Sequence, residues 1–400
     1  MRAQKAHSLI SQVYDPRNLQ RAWERVKEND GCAGVDGMTI ARFEQDRDHY
    51  LDVLHRQLRE DRYRPRPVKR VEIDKPGTTR KRPLGIPCIL DRVCQQALSQ
   101  VLAPIFEPTF LGVSFGYRPG RSAHMALRRV WEHLRQADWI VDADIVDCFG
   151  TLSHKILVDA VAERVADGRV LRLIRQMLTA GVLTDGVYES AIAGVPQGGV
   201  ASPLLSNIYL HIFDVEMERV GFALTRYGDD WVIVCRSRVE AERALASARA
   251  VLEGKLGLRL HPEKTRIVHI TQGFEFLGYK IGRGKGSHYK AGRPTLYAIP
   301  RDRSIQHLRD KVRMITRRRN PKSLAGMVNE LNPVVRGWGM YYRRAHVRRL
   351  FYRLDRWIVR RVRSFYFKRW RNAGWRLWPE RRLYEEMVST TVEYCTRIDG

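Results

Sequence analysis

The sequence has no apolar run that approaches the roughly 18 residues a membrane-spanning helix needs. Residues 1–10 lack the apolar centre of a secretory signal. The six cysteines, at positions 32, 88, 94, 148, 235 and 395, are scattered and form no Cys-x-x-Cys pair. That pattern excludes a disulfide scaffold, argues against a zinc site and points to a reduced, cytosolic protein. There is no internal repeat and no low-complexity tract. Acids are scarce beside bases: 44 Asp and Glu against 71 Lys and Arg leave a net charge of +27. Self-repulsion on that scale is tolerated when a polyanion is the partner, and nucleic acid is a better candidate than an acidic membrane. At 400 residues and 44% hydrophobic content, the chain is long enough for two or three domains with a sizeable core.

Local patterns predict an α+β domain with an antiparallel sheet. Helices are expected over residues 5–28, interrupted at Pro16, and from a Thr39 cap to about Arg59. Residues 66–74 read as a strand, Lys75-Pro76-Gly77 as its turn, and a second strand runs toward Leu84. Asp91 is expected to cap a helix through about Val101. Further helices are expected over 122–137, 155–180, 202–219 and 239–256, with a buried strand over 139–145. Composition shifts near residue 281, and Ile281 to Pro294 is rich in Gly, Lys and Arg. Beyond it the chain reads as helical and basic. From Val347 to Phe365 apolar residues recur at helical spacing, while Arg348, Arg349, Arg353, Arg356, Arg360, Arg361 and Arg363 fill the other positions with Asp355 as the only acid. That composition suits a phosphate-binding face better than a merely solvated one.

Three motifs carry the chemistry. Tyr227-Gly228-Asp229-Asp230 sits between β-formers and reads as a hairpin with carboxylates at its tip. Adjacent acids beside buried strands cost several kcal/mol each unless they are paired or bind metal, and hard carboxylate oxygens suit Mg²⁺. Upstream, Asp142 and Asp144 fall on one face of a strand by its period of two. Between them, Val195 to Pro203 forms a glycine-rich loop leading into a helix, whose free N–H groups favour anions. Carboxylates from a strand end and a hairpin tip suit a two-metal site for phosphoryl transfer.

In order and spacing these motifs resemble those of the reverse transcriptases encoded by bacterial group II introns, and the resemblance covers nearly the whole chain. Gly34-Val35-Asp36-Gly37 is similar to the family's N-terminal extension. Arg82 to Pro87, with Asp91 to Ala97, is similar to its fingers, and Phe115 to Ser122 to the block that follows. Asp144 to Phe149, Pro196-Gln197-Gly198, Tyr227 to Asp230, His261 to Thr265 and Phe274 to Tyr279 are similar to its palm motifs. Leu331 to Trp338, then Tyr341-Tyr342-Arg343, resembles the intron maturase domain.

The resemblance implies a right-hand polymerase, with fingers and palm over residues 1–284 and a helical thumb and maturase region over 285–400. It implies that Asp144, Asp229 and Asp230 hold two Mg²⁺, with Mn²⁺ as a substitute, Asp230 less directly and Ile145 beside Asp144 at the metal site. Lys69 and Lys75 would grip the nucleotide triphosphate with help from Arg82. Gln197 would line the nucleotide pocket and Phe149 would exclude a 2′-hydroxyl. Lys264 is read either as an acid toward pyrophosphate or as a surface lysine, and Phe276 to Tyr279, with Gly278, would position the primer end. Implied partners are an RNA template with a DNA or RNA primer, dNTPs and structured intron RNA. The chain departs from the family pattern at Val146, Asp147 and Gly150, and at Gly228, where alanine is usual. Glycine there removes only a methyl group, so catalysis is expected to survive. No His- and Cys-bearing nuclease module is seen before Gly400, as in the compact, endonuclease-lacking members.

Four readings remain. The first is an RNA-directed DNA polymerase that also binds intron RNA and promotes splicing and mobility. The second is an RNA-binding splicing cofactor with a vestigial polymerase, against which the three retained acids argue. The third is an RNA-dependent RNA polymerase, against which Phe149 and the maturase block argue. The fourth is a host-adopted relative acting in DNA repair or phage defence, which the sequence does not separate from the first.

Overall fold

Pro16 divides the first helical stretch as its fixed φ and missing N–H require. Helix α1 (Ile10–Tyr14) ends before it and α2 (Pro16–Asn29) starts on it, with Asp15 accepting from the Arg17 and Asn18 N–H groups. The structure, a computed structural model, describes residues 5–74, 81–284 and 295–367. Thr39 caps α3 (Ile40–Gln45) through a 3.2 Å bond from the Arg42 N–H. Asp46 leaves helical geometry, so the single helix expected as far as Arg59 is two, the second being α4 (Arg47–Arg59). Strands β1 (Val68–Asp74) and β2 (Lys81–Ile86) pair antiparallel, with Lys69 opposite Ile86. Lys75 and the turn assigned to it lie outside the described residues.

Helix α5 (Ile89–Phe106) corrects the expected cap. It begins before Asp91, with Cys88 at the cap position, and Asp91 lies inside the first turn, buried. The side chain turns inward because it has better partners there. Tyr63 donates its hydroxyl to one carboxyl oxygen at 2.5 Å and the Arg66 N–H donates to the other at 3.2 Å. Helix α6 (Ala123–His133) starts from a Ser122 cap, and strand β3 (Trp139–Ala143) follows. Next come a short α7 (Cys148–Thr151), then α8 (His154–Ala162) and α9 (Gly168–Thr179). The long helix expected over 155–180 is thus broken. Asp167 starts a new one by accepting from the Arg169 and Val170 N–H groups, and its other oxygen holds the Ile10 N–H at 2.8 Å. A hairpin that the pattern did not suggest, β4 (Val182–Thr184) and β5 (Val187–Glu189), joins the first sheet in the order β2-β1-β4-β5.

Helix α10 (Ser202–Val220) leads to β6 (Ala223–Tyr227) and β7 (Asp230–Cys235). Helix α11 (Arg238–Arg249) runs on into one wider turn, Ala250–Lys255, before β8 (Arg266–His269). The second sheet, in order β6-β7-β3-β8, is antiparallel throughout. Its buried face packs on α10 and α11. Trp231 and Phe213 meet with ring centroids 5.2 Å apart, both fully buried, and burying side chains of this size stabilises by about 1.5–3 kcal/mol each.

The chain divides into two compact units, Met1–His269 and Ile270–Gly400. Within the second, β9 (Phe274–Phe276), β10 (Tyr279–Gly284) and β11 (Thr295–Pro300) form a three-stranded sheet, followed by α12 (Asp302–Ile315), α13 (Leu324–Tyr342) and α14 (Arg348–Tyr366). The division falls before residue 284 because β10 pairs with both β9 and β11, which keeps the strand pair of the last palm-like motif with the helices. Among the described residues no helix is long and apolar enough to cross a membrane.

Burial pushes the Asp91 carboxyl up to about 6, against the opposing pull of its Tyr63 and Arg66 hydrogen bonds. A carboxyl raised in the folded state takes up a proton on folding between the two pKa values. Stability should therefore fall as pH rises from the ordinary value of 3.8 to about 6. The slope from this group is at most about 1.4 kcal/mol per pH unit. Urea unfolding at several pH values should show that this component is absent in Asp91→Asn. An unchanged pH profile in the variant would show that Asp91 does not carry the dependence.

Candidate active site

The hairpin between β6 and β7 turns through Gly228 and Asp229, with Tyr227 opposite Asp230. Gly228 has φ +66°, the left-handed value that the first central position of a type II′ turn demands. Behind the turn lies Arg226, fully buried. Its Nε and Nη2 donate to the two oxygens of Asp214 on α10, at 2.7 and 2.5 Å. Nη1 donates to Asn207 Oδ1 at 3.0 Å and to the Gly228 carbonyl at 2.9 Å, and Nη2 also reaches Ser114 Oγ at 2.9 Å. Asn207 in turn donates to the Gly116 carbonyl at 2.8 Å. Gly116 presses against the turn so closely that a Cβ there would lie 2.2 Å from the Gly228 nitrogen.

The sheet register brings the acids together. Ala143 faces Trp231, so one step further Asp144 comes opposite Asp230, and Asp142 faces Arg266 on the other side. Arg266 donates two hydrogen bonds to Asp142, at 3.0 and 2.9 Å. Lys264 donates to Asp144, whose backbone carbonyl is held by the His261 N–H at 2.7 Å. Lys264, expected as either a pyrophosphate acid or a surface lysine, is thus half-exposed and ion-paired to Asp144. Asp229 is held above the usual carboxylate range, first by burial and then by the charge of Asp144, against the pull of Arg82 and Arg226. Asp230, exposed, opens β7. Ile145 is buried and bridges Leu260.

Two neighbouring carboxylates, one of them raised by burial and by the charge of the other, offer hard oxygen donors of the kind a divalent cation takes. Among the described residues no three His, Cys, Asp or Glu side chains already form a metal cluster, and Asp144 takes an ammonium as its cation.

The residues expected at the nucleotide are partly joined. Arg82 donates its Nε to Gln197 Oε1 at 2.7 Å, and Gln197 Nε2 donates to Asp147 Oδ1 at 3.3 Å. Lys69 is exposed on β1. Phe149 is buried in α7, with its carbonyl accepting from the Val195 N–H at 2.7 Å. The Gln197 loop is pinned to β2: the Gly85 N–H donates to the Gln197 carbonyl at 2.7 Å, and a Cβ on Gly198 would lie 2.8 Å from the Gly85 oxygen. Arg70, Leu84, Asp147, Gly150 and Gln197 border a cleft of about 360 Å³ beside it. The loop ahead of α10 is also tied to α5. Gln95 Oε1 accepts from both Val200 and Ala201, so these donors are spent inside the protein.

In the second unit, Phe276 is buried, and Gly278 has φ +80° with its carbonyl accepting from the Tyr342 hydroxyl at 3.2 Å. The arginines of α14 separate into two groups. Arg348, Arg349, Arg353, Arg356 and Arg360 are exposed, and Arg356 lies over the Tyr352 ring at 5.6 Å. Arg361 is half-buried and donates to the Thr316 hydroxyl and carbonyl and to the Arg313 carbonyl. Arg363 is only 2% exposed, which removes it from the phosphate-binding face. It follows Asp355 and Val359 at four-residue steps, both buried, so helical periodicity carries it inward with them.

Tyr117 was missed. Its ring lies beside the turn, where a Cβ on Gly228 would come within 2.9 Å of it. Burial raises its hydroxyl first, with Asp229 adding to the shift. The backbone of Tyr117 is itself left-handed at φ +59°. The methyl that glycine spares at 228 is therefore contested space. The Arg226–Asp214 pair was missed as well, although single charges set in apolar runs on β6 and α10 are its signal.

A family model described as "Reverse transcriptase (RNA-dependent DNA polymerase)" matches residues 73–281, and one described as "Group II intron, maturase-specific domain" matches residues 305–384. Protein YkfC of Escherichia coli is 33% identical over 76% of this chain and 89% of its own length. The group II intron-encoded protein LtrA of Lactococcus lactis is 28% identical over 68% of this chain, which spans only 56% of LtrA. A chain of the solved "Partial Cas6-RT-Cas1--Cas2 complex" matches with a TM-score of 0.41 and 22% identity, over 62% of this chain and 43% of that one, a likeness too slight to argue from.

Removing one member of a fully buried ion pair leaves the other charge without compensation. Arg226→Leu should cost about 3–5 kcal/mol in chemical denaturation, and Arg226→Leu with Asp214→Leu should cost distinctly less. Additive losses in the double variant would show that the two side chains do not act as a pair.

Proposed function

Since the chain belongs to the reverse transcriptase family and carries a group II intron maturase-specific domain, we propose that it is an RNA-directed DNA polymerase that extends a primer on an RNA template and binds structured intron RNA in the bacterial cytoplasm. The observation that carries this reading is the Gly228-Asp229 turn beside Asp144, inside the matched span, with Asp229 raised first by burial and then by the charge of Asp144. Asp144, Asp229 and Asp230 would hold two divalent ions, Mg²⁺ by the hardness of the donors, with Ile145 at the edge of that site. When bound, the ions activate the attacking hydroxyl and offset charge on the leaving pyrophosphate.

The protein's own groups do the positioning. Arg226 fixes the turn through the Gly228 carbonyl, so Asp229 presents its carboxylate without having to reorganise. Lys264 brings positive charge to Asp144, and Arg82 brings it within reach of Asp229 and Tyr117. Lys69 and Arg82 are read as cations for the triphosphate, Gln197 as the wall of the nucleotide pocket, and Phe149 as the side chain against the sugar. Phe276 and Gly278 are read as holding the primer end. The exposed arginines of α14 are read as contacts for RNA phosphates, a role suited to the charge of +27.

Asp229→Ala should abolish cDNA synthesis on an RNA template while RNA affinity stays near wild type, as read by primer extension beside filter binding. RNA affinity that falls in proportion to activity would make the acid structural. For the arginines, a salt series of affinity for a structured RNA is the measure. Arg353→Gln, Arg356→Gln and Arg360→Gln together should lower the slope of log affinity against log salt by about two or three, at about 0.7–0.9 per phosphate contact. Parallel slopes would place the RNA path elsewhere.

A further inference from the structure

Asp147 stands in an improbable conformation. Its backbone is left-handed, φ 41° and ψ 53°, which only glycine adopts freely and which Asp and Asn tolerate better than other side chains. The conformation starts α7 and aims the carboxylate back across the helix at Gly150. A Cβ at position 150 would lie 2.1 Å from Asp147 Oδ2 and 2.7 Å from Cγ. Only glycine leaves room for the carboxylate at this place. Both positions depart from the family pattern, and in the structure the two departures occupy one space.

The carboxylate has a partner there. Asp147 Oδ1 accepts from Gln197 Nε2 at 3.3 Å, and Gln197 Oε1 accepts from Arg82 Nε at 2.7 Å. An ionised carboxylate can only accept, so it admits only the amide's nitrogen end. The amide oxygen is thereby turned to Arg82, and both ends of Gln197 agree on one orientation. The backbones are tied as well. The Val195 N–H donates to the Phe149 carbonyl at 2.7 Å and the Gly194 N–H to the Leu152 carbonyl at 2.8 Å. The segment that carries Asp147 is therefore bonded directly to the segment that leads into the Gln197 loop.

We propose that Asp147 is a positioning residue for the incoming nucleotide: through the room that Gly150 leaves, it fixes the amide of Gln197, and through Gln197 the guanidinium of Arg82. This rests on the reading that Gln197 and Arg82 face the nucleotide. Asp147 itself touches neither substrate nor metal in this role. Its loss should therefore appear in nucleotide KM rather than in kcat or in the fold.

The experiment is steady-state primer extension on an RNA template with dNTP as the varied substrate. Asp147→Gly keeps the backbone conformation and removes the carboxylate. It should raise KM for dNTP by about three- to tenfold, the loss of one hydrogen bond, with kcat changed less than about twofold. Asp147→Asn, with the acceptor oxygen retained, should stay near wild type. Gly150→Ala is conformationally harmless in a helix but displaces the carboxylate, so it should raise KM alike and add nothing in the Asp147→Gly background. Gln197→Ala should raise KM and make Asp147→Gly silent. If Gln197→Ala raises KM while Asp147→Gly does not, or if the two effects multiply, the link from Asp147 is overturned. If Gln197→Ala itself leaves KM unchanged, the nucleotide reading of Gln197 fails, and the positioning role of Asp147 falls with it.

Discussion

One buried guanidinium holds the acidic turn. Arg226 has five side-chain N–H donors, and the structure supplies five acceptors: both oxygens of Asp214, Asn207 Oδ1, Ser114 Oγ and the Gly228 carbonyl. A charge moved from water into a fully buried place costs several kcal/mol, and such a cost is met only where an opposite charge and full hydrogen bonding await it. Asp214 provides the first and the other three acceptors the rest. These acceptors come from α10, from the segment that precedes Gly116, and from the turn itself. Three pieces of chain, that of Ser114 being 112 residues away, are thus located against one rigid fork. The carboxylate of Asp229 inherits its position from that arrangement, and with it the repulsion of lying near Asp144.

The electrostatics around the turn are graded by exposure. Asp214 and Arg226 are fully buried and permanent. Asp144 and Lys264 are partly exposed, and pairs of that kind are worth about 0–1 kcal/mol. The Lys264 contact is weak enough to be exchanged for another cation, whereas the Arg226 contact is not. The combination is a buried frame held by its own partners beside a more exposed face whose charges can change partners. The same logic makes sense of a protein rich in base overall that concentrates acids at one sheet end.

The sequence is most informative where pattern and chemistry coincide. The hairpin at Gly228 and Asp229, the Thr39 cap and the division at Pro16 all follow from local rules. The family resemblance read from the motifs is met by the matches over 73–281 and 305–384. Local rules fail where a distant partner decides. Asp91 looks like a helix cap but is drawn inward by Tyr63. Arg363 looks like part of a basic face when its type is weighed above its phase, although Asp355 and Val359 carry it inside. Nothing in the loop ahead of α10 announces that Gln95 will take its Val200 and Ala201 N–H groups.

Departures from the family pattern at Gly228 and at the Asp147–Gly150 pair are explained by the neighbours they meet in the structure. Read singly, Gly228 is a lost methyl, and Asp147 and Gly150 are an oddly placed acid and a gap. In the structure each has a neighbour that requires it. Tyr117 fills the space against Gly228, and its ring would have to shift for any Cβ there. The carboxylate of Asp147 fills the space at Gly150, and no side chain could enter without expelling it. Packing at near-solid density makes such pairs interdependent, since a void beside one residue deprives its neighbour of dispersion attraction. A departure that is accommodated in this way is not evidence of decay. A vestigial polymerase, freed from selection on its site, would be expected to accumulate voids and unmatched charges around the acids. What surrounds them instead is a saturated guanidinium, a filled turn and an amide held from both ends.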